Sequence, residues 1–372
     1  ILNLAFNTAL AKEFSFRAAQ YEKKPYELKS HIDVTGSQFE VDPNAALTNL
    51  TFQPIESAKD FARYYSELEL EGLYRFDNST LNFRSLSNWQ NDDFSETTLH
   101  TLQEAFWSVQ PSDQWSLEIG KRAIKWGKGY AWNPVGFIER TKNPDDPEVN
   151  REGFILASAE YTKILPGLVK TLSASAFVVP VSDSVNDDFN IDSSKSSADN
   201  LVWAGKLYLL IGETDLDFYL SYSAETNTDF GVSFSSNLAS NFEIHGDFAY
   251  RSQQTQTLLT TDDQLISQTS DSFQGLLGLR YLTESELTWI AEWYVNPQGY
   301  SLNELNTFYD LAHTDPLLSP SDYQLAQQAK QAGYAATNPG QQYLYLRASQ
   351  KDFANIVYLS AALTGIMNLE DS

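Results

Sequence analysis

The sequence contains no cysteine, a single methionine and no long uncharged apolar run. The absence of cysteine excludes disulfides, cysteine-ligated zinc and covalent haem attachment within the chain. The longest uncharged stretch rich in apolar residues, 171–181, is far shorter than the roughly 20 residues that a membrane-spanning helix needs. Any crossing of a membrane must therefore be made by strands, whose alternation is hidden in a mean hydropathy of −0.37. No export signal is visible at Ile1, and we expect the sequence to begin within the mature protein.

Basic residues are also scarce: 25 Lys and Arg against 49 Asp and Glu give a net charge of −24. Such a field repels nucleic acid, and no basic arm offsets it, so nucleic acid is excluded as a partner.

Catalytic motifs are scarce as well. GxSxG and HExxH are absent, and the four histidines lie on separate predicted elements. His245 beside Asp247 is the only close inward-facing pair of this kind, and we interpret it as a pair in the interior of a barrel rather than as a catalytic pair. The sequence therefore predicts a protein that is not an enzyme and that carries no cofactor.

What the sequence does contain is strict alternation of apolar and polar residues in segments of about ten residues. In the clearest segment, 242–251, the apolar residues Phe242, Ile244, Phe248 and Tyr250 alternate with the polar residues Glu243, His245, Asp247 and Arg251. Segments 216–222 and 273–281 repeat the pattern. Tyrosines at the ends of these segments favour an aromatic girdle at a membrane surface.

The lengths of the links between predicted strands sort into two classes. We predict strands near 27–36, 63–76, 79–90, 98–110, 114–125, 153–163, 169–180, 201–211, 215–223, 228–237, 241–251, 271–282, 286–296, 342–350 and 355–367. Short turns follow the even-numbered strands. Most links after odd-numbered strands are long: 43–62, 126–152, 181–200, 252–270 and 297–341. Short turns at one end and long loops at the other are typical of outer-membrane barrels, whereas a soluble β-sandwich has no reason to sort its links in this way.

We therefore predict an all-β fold: a transmembrane, antiparallel, up-and-down β-barrel of about sixteen strands in a Gram-negative outer membrane, in contact with lipid and lipopolysaccharide. Fifteen strands are visible, and single-chain bacterial barrels have an even number. The sixteenth strand either lies outside this sequence or comes from the segment before Tyr26. We expect residues 1–25 to form a tail, a short helix or a partial plug, and residues 26–372 to form the barrel.

The alternation places a set of charged residues on the inward face, and we predict that they line a pore. One interpretation is a hydrated lumen in which charges pair across strands, and another is a wall that sets ion preference; the two are compatible. Because acids outnumber bases in this set, we expect a modest preference for cations. The predicted pore-lining residues are Glu67, Glu69, Glu71, Arg84, Glu104, Glu118, Glu160, Lys206, Asp217, Glu243, Asp247, Arg251, Arg280 and Glu292.

A dense basic stretch, 120–134, precedes a proline-rich segment, and alternation breaks after Ile119. A long loop after the fifth strand, close to basic residues of the wall, resembles the constriction loop of the sixteen-stranded general porins. The resemblance implies that loop 126–152 folds into the lumen, with acids on the loop opposing basic residues of the wall. The implied constriction residues are Lys121, Arg122, Lys125, Asp145, Asp146 and Glu148. The alternative is an outward loop whose lysines meet lipopolysaccharide phosphates.

Two further loops carry distinctive residues. Segment 181–200 holds Asp187, Asp188 and Asp192, which are weak candidates for calcium, but the glycine and closing glutamate of an EF-hand are missing, so we predict no metal site. Loop 297–341 contains helix signals, with a capping box at Ser301 and Glu304 and a second helix from 321 to 333.

Two functions from different classes fit this sequence. The first is a porin-like channel through which small hydrophilic solutes diffuse. The second is a barrel that serves as a scaffold or conduit in an envelope assembly, handling lipid, polymer or electrons with an envelope protein as partner. Conductance across a planar bilayer distinguishes the two.

Overall fold

The computed structural model describes residues 24–42, 45–52, 60–142, 151–189, 200–223, 227–260 and 262–370. Within these ranges, fifteen antiparallel strands form one sheet in which each strand pairs with its neighbours in sequence. The strands are β1 (Tyr26–Glu40), β2 (Asp60–Arg75), β3 (Ser79–Asp92), β4 (Glu96–Ser112), β5 (Trp115–Arg122), β6 (Phe154–Ile164), β7 (Val169–Val181), β8 (Asn200–Ile211), β9 (Thr214–Ser223), β10 (Asn227–Ala239), β11 (Phe242–Leu259), β12 (Leu265–Leu282), β13 (Leu287–Val295), β14 (Gln342–Gln350) and β15 (Ala361–Asn368). The helices are α1 (Ala46–Thr51), α2 (Leu302–Ala312) and α3 (Pro320–Ala329).

The exposure of the side chains alternates along the strands as predicted, and the apolar side chains are the exposed ones. On β11 the apolar Phe248 is 46% exposed, whereas its polar neighbour Asp247 is 0% exposed. A soluble sheet protein buries its apolar face; here the buried face carries charge and the apolar face points outwards, as it does when lipid surrounds a barrel. The outward band includes Leu28, Ile32, Leu81, Phe83, Trp107, Ile119, Ile155, Trp203, Leu220, Leu277, Trp293 and Leu346.

The chain is therefore an all-β, antiparallel, up-and-down barrel of the transmembrane type, and barrels of this type lie in bacterial outer membranes. β1 and β15 are the two ends of the described sheet, and each pairs with a single neighbour there. The fifteen visible strands are confirmed. The sixteenth strand stays a prediction, and of the predicted tail, 1–25, residues 1–23 lie outside the described ranges.

Short turns close one end of the barrel, as between β10 and β11, where two residues connect the strands. The exception is the link between β14 and β15: the predicted strand 355–367 begins only at Ala361, so ten residues connect these two strands. We assign this end to the periplasm and the end with the long loops to the exterior. The predicted long loop 252–270 is wrong, because the β11–β12 ladder continues through Gln254–Ser270 up to Leu259–Leu265. Polar residues occupy both faces of this extension, so the apolar period ends while the backbone pairing continues.

The long link between β13 and β14 forms a helical cap at the extracellular end. The capping box predicted at Ser301 is present, with Glu304 N–H donating to the Ser301 hydroxyl. α3 begins at Pro320 rather than at residue 321, and α1 was not predicted, because a helix of six residues has too few turns to show a period. None of the described helices is long and apolar enough to cross a membrane.

Candidate functional site

The described part of the link between β5 and β6 folds into the barrel. Residues 123–142, which we call the inner loop, leave the wall at the end of β5 and reach β9, β11, β13 and β14 on the far side. Gly127 has a φ of 78°, a left-handed conformation that favours glycine and lets the chain turn inwards. The inward course that the resemblance implied is thus present for residues 123–142.

Side chains accept hydrogen bonds from the backbone N–H groups of every residue from 126 to 131. Glu139, within the loop, accepts from Trp126 at 3.1 Å. The hydroxyl of Tyr219, on β9, accepts from Gly127 at 3.1 Å. These N–H groups have no strand partner, and leaving one buried and unpaired costs about 1–3 kcal/mol, so the acceptors hold the loop by its main chain.

Asp247 is the central acceptor on the wall. Its carboxylate receives the N–H groups of Lys128 and Gly129, each at 2.9 Å, and the side chain is 0% exposed. Asp247 lies on the inward face, as alternation predicts, and the inner loop covers it.

Glu292, on β13, holds the next two residues of the loop. Its oxygens accept from the N–H groups of Tyr130 at 2.5 Å and Ala131 at 2.8 Å. His245 Nε2 lies 2.9 Å from Glu292 Oε1, and His245 Nδ1 lies 3.6 Å from Glu243 Oε1. The predicted pairing of His245 with Asp247 is therefore wrong: both lie on the inward face of β11, but the histidine binds glutamates of β11 and β13.

Asp217 on β9 binds two lysines at once. Lys128 Nζ, from the inner loop, lies 2.9 Å from Asp217 Oδ2, and Lys206 Nζ, from β8, lies 3.1 Å from Asp217 Oδ1. The carboxylate is fully buried, whereas both ammonium groups keep partial exposure. One wall acid thus anchors the loop and leaves an excess of positive charge beside it.

Apolar packing completes the hold on the loop. Trp126 packs against Phe177 and Tyr219, with ring centroids 5.7 Å and 5.0 Å apart, and Trp132 stacks on Tyr294 at 4.9 Å. A Cβ atom on Gly129 would lie 2.5 Å from the carbonyl oxygen of Trp132, so only glycine fits there. Further loop residues in these buried clusters are Ile124, Ala131, Val135, Phe137 and Ile138.

The basic residues predicted for the constriction lie at the root of the inner loop. Lys121 binds Glu152 and Arg122 binds Glu118, while Lys125 is exposed to the lumen. The predicted loop acids Asp145, Asp146 and Glu148 lie outside the described residues. Within residues 123–142, acids of the wall meet N–H groups and a lysine of the loop, which is the reverse of the arrangement that the resemblance implied. At the root of the loop, the pair of Lys121 with Glu152 keeps the implied sense.

One acid of the inner loop is buried. Glu139 lies 3.3 Å from the guanidinium of Arg151. It belongs to the link between β5 and β6 rather than to a spanning strand, and burial raises its pKa from 4.5 to about 7, against the opposing effect of Arg151. Neither residue was predicted as part of the site.

The remaining predicted pore-lining charges pair mainly with neighbouring strands. Arg84 lies 2.8 Å from Glu104 and 3.9 Å from Glu69. Arg251 donates to the carbonyl of Pro134 in the inner loop at 3.1 Å. The other pairs are Glu71 with Lys29 at 3.6 Å, Glu67 with Tyr65, Arg280 with Glu243 at 4.0 Å, and Glu160 with Ser175 at 3.1 Å. Their role in lining a pore stays a prediction.

Among the residues that the structure describes, the calcium candidates show no shared site. Asp188 binds Arg140, which gives its carboxylate a cationic partner. Asp192 lies outside the described residues. Across the ranges that the structure describes, no cluster of three or more potential metal ligands is found.

Two cavities lie on opposite sides of the inner loop. The lower cavity, about 480 Å³, lies towards the short turns, with Gln110, Glu118, Lys125, Glu160 and Lys206 among its lining residues. The upper cavity, about 350 Å³, lies towards the exterior, between loop residues 132–142 and Phe189, Arg251, Gln254, Gln274 and Tyr294. Both are polar, and Trp126 and Phe137 of the loop face one each.

Several residues of this site escape prediction from the sequence. Tyr219 occupies an inward position between Asp217 and Ser221, and an aromatic side chain on a polar face is the one available signal. Gly127, Gly129 and Trp126 belong to the stretch that the sequence marks as unusual, but alternation cannot tell which wall residues they reach.

No protein-family model matches the chain, and no curated protein matches it. Similar solved structures include OccK5 (OpdH) of Pseudomonas aeruginosa, with 11% identity, a TM-score of 0.48 and coverage of 92% of this chain and 80% of that one. OmpF of Salmonella typhi, in complex with daunomycin, has 12% identity and a TM-score of 0.45, covering 92% and 97%. A triple-mutant porin of Rhodopseudomonas blastica has 10% identity and a TM-score of 0.45, covering 91% and 94%.

All three are outer-membrane porins. With identities of 10–12% and TM-scores of 0.45–0.48, the similarity carries no argument about a solute or about the role of any residue. The assignment of the barrel rests on its own strand order and on its outward apolar band.

Proposed function

We propose that this protein is a porin-like channel through which small hydrophilic solutes cross the outer membrane by diffusion. The observation that supports the proposal best is the inner loop, which lies inside the barrel with a polar cavity on each side. A barrel that only anchors other proteins has no need for charged cavities above and below an internal loop. In this proposal the loop narrows the passage, and the two cavities are its vestibules.

The contacts of the loop are consistent with a fixed constriction. Asp217, Asp247 and Glu292 hold it from β9, β11 and β13, so its position depends on three strands of the wall. A loop held in this way narrows the passage without needing a partner protein.

The experiment is a recording of current from the purified chain in a planar lipid bilayer. We expect discrete, stable open steps. A chain that is folded, as judged by heat-modifiable migration, and yet inserts without conducting would contradict the proposal and favour the scaffold or conduit instead.

The same recordings test ion preference. Acids outnumber bases among the predicted inward residues, and a low-dielectric passage amplifies such an imbalance at low salt. We propose a modest cation preference, measured as the reversal potential in a salt gradient. An anion preference would instead point to Lys125 and Lys128 of the inner loop and to Lys206 on the neighbouring wall.

A further inference from the structure

We propose that the lower cavity is a binding site for small zwitterionic solutes whose ammonium and carboxylate groups are well separated, as in a short peptide. The inference rests on the proposed channel function and names the solute class that the passage favours. The cavity of about 480 Å³ falls within the range in which proteins bind small molecules, roughly 300–1,000 Å³.

The wall of this cavity carries a row of polar residues in register across four strands. Ser116 on β5 pairs with Glu160 on β6, Glu160 pairs with Ser175 on β7, and Ser175 pairs with Lys206 on β8. The row thus holds an acid and a base two strands apart. Because neighbouring strands lie about 4.8 Å apart, the backbones of Glu160 and Lys206 are about 10 Å apart.

The charges that are open to a solute have opposite signs. Glu160 and Lys125 are both exposed and line the same cavity. Arg122, by contrast, is bound to Glu118, and Lys206 is bound to Asp217. Glu160 accepts hydrogen bonds from the hydroxyls of Thr162 at 3.2 Å and Ser175 at 3.1 Å, neutral donors that orient its carboxylate. Arg122, which forms its ion pair with Glu118, attracts the Glu160 carboxylate without forming an ion pair with it.

This arrangement selects against solutes that carry only one charge. An anion bound by Lys125 meets the Glu160 carboxylate, and a cation bound by Glu160 meets Lys125 and the excess positive charge beside Asp217. Lys125 and Glu160 form no ion pair with each other, so their charges stand apart and favour a solute whose ammonium and carboxylate are also separated. A short peptide spans the two sides, with its amide groups facing the hydroxyls of Ser116, Ser158 and Ser175.

The test is isothermal titration calorimetry on the purified barrel in detergent with three probes: triglycine, N-acetyltriglycine, which lacks the ammonium, and triglycine amide, which lacks the carboxylate. We expect triglycine to bind most tightly. Removing one charged hydrogen-bond partner, from the probe or from the protein, should weaken binding of the probe about tenfold or more. Glu160→Gln should weaken triglycine but not N-acetyltriglycine, whereas Lys125→Gln should weaken both.

Matched controls change the same charges outside the cavity. Glu213→Gln, in the β8–β9 turn, and Lys170→Gln, at the periplasmic end of β7, are exposed and should leave triglycine binding unchanged. Equal affinity for the three probes, or no effect of Glu160→Gln and Lys125→Gln, would overturn the site. Because the measurement needs no ion current, triglycine binding by a barrel that does not conduct would retain the site and remove the channel. Conduction without triglycine binding would retain the channel function and overturn the binding site.

Discussion

Asp247 on β11 accepts a hydrogen bond of 2.9 Å from the backbone N–H of Gly129, 118 residues earlier in the chain. The same carboxylate binds the N–H of Lys128. Because the donors are main-chain groups, these bonds position the middle of the inner loop without using its side chains.

Asp247→Ala should release the middle of the inner loop. The substitution leaves the N–H groups of Lys128 and Gly129 without their acceptor, at a cost of about 1–3 kcal/mol for each group that stays buried. We expect higher single-channel conductance and faster proteolysis of the loop, with unchanged heat-modifiable migration, because the strand ladders do not use this side chain. Asp271→Ala, on β12 and away from the loop, is the control. Unchanged conductance of Asp247→Ala would show that the loop does not limit the passage.

Gly129→Ala should also raise the single-channel conductance, because the added methyl group clashes with neighbouring atoms. The new methyl group would lie 2.5 Å from the carbonyl oxygen of Trp132, within the loop, and 2.8 Å from Leu276 Cδ1 on the wall, so the loop must change its own course and shift from the wall. We expect a conductance close to that of Asp247→Ala. Gly365→Ala, where nothing lies within 4 Å of the added atom, should behave as the unmodified protein. If both glycine variants conduct alike, the close packing at Gly129 does not matter for the channel.

Phe248→Asp tests the lipid-facing side of the same strand. A carboxylate in the outward apolar band should destabilise the barrel by about 2 kcal/mol or somewhat less. The measurement is the denaturant concentration at which heat-modifiable migration is lost. Phe248→Leu keeps the surface apolar and should change that midpoint little, and equal midpoints for the two variants would mean that this face does not contact lipid.

Glu139 should make docking of the inner loop depend on pH. Its pKa rises from 4.5 to about 7 when the loop is docked, because burial disfavours the charged form. The docked loop binds the proton more tightly than the released loop. Protonation of Glu139 therefore stabilises the docked loop. This stabilisation is complete below pH 4.5 and is lost as the pH rises from 4.5 towards about 7. Proteolysis of the loop should therefore be slower near the lower pH.

Glu139→Gln keeps the side chain neutral and should remove this dependence. Glu213→Gln, exposed in a periplasmic turn, should retain it. A proteolysis rate that changes with pH equally in both variants would assign the effect to another group.

Local periodicity accounts for what the sequence predicts well. Alternation places Phe248 and Asp247 on opposite faces, and the sorting of link lengths predicts the up-and-down order of the strands. Alternation does not report what covers an inward residue, so Asp247 is indistinguishable in sequence from an acid exposed to water. The partners of His245 are likewise set by the register of β11 with β12 and of β12 with β13, which brings Glu292 beside it. The extension of β11 to Leu259 is missed because the apolar period ends where the membrane ends.

Recognition through the main chain has a consequence for how this protein can change during evolution. Tyr130 contributes an N–H group that any residue other than proline supplies, so substitutions at this position keep the bond to Glu292, whereas the Lys128 side chain also binds Asp217. Gly129 and the acids of the wall have no such freedom. The lining of the passage can therefore diversify one side chain at a time, and new solute preferences can arise while the course of the chain through the barrel stays the same.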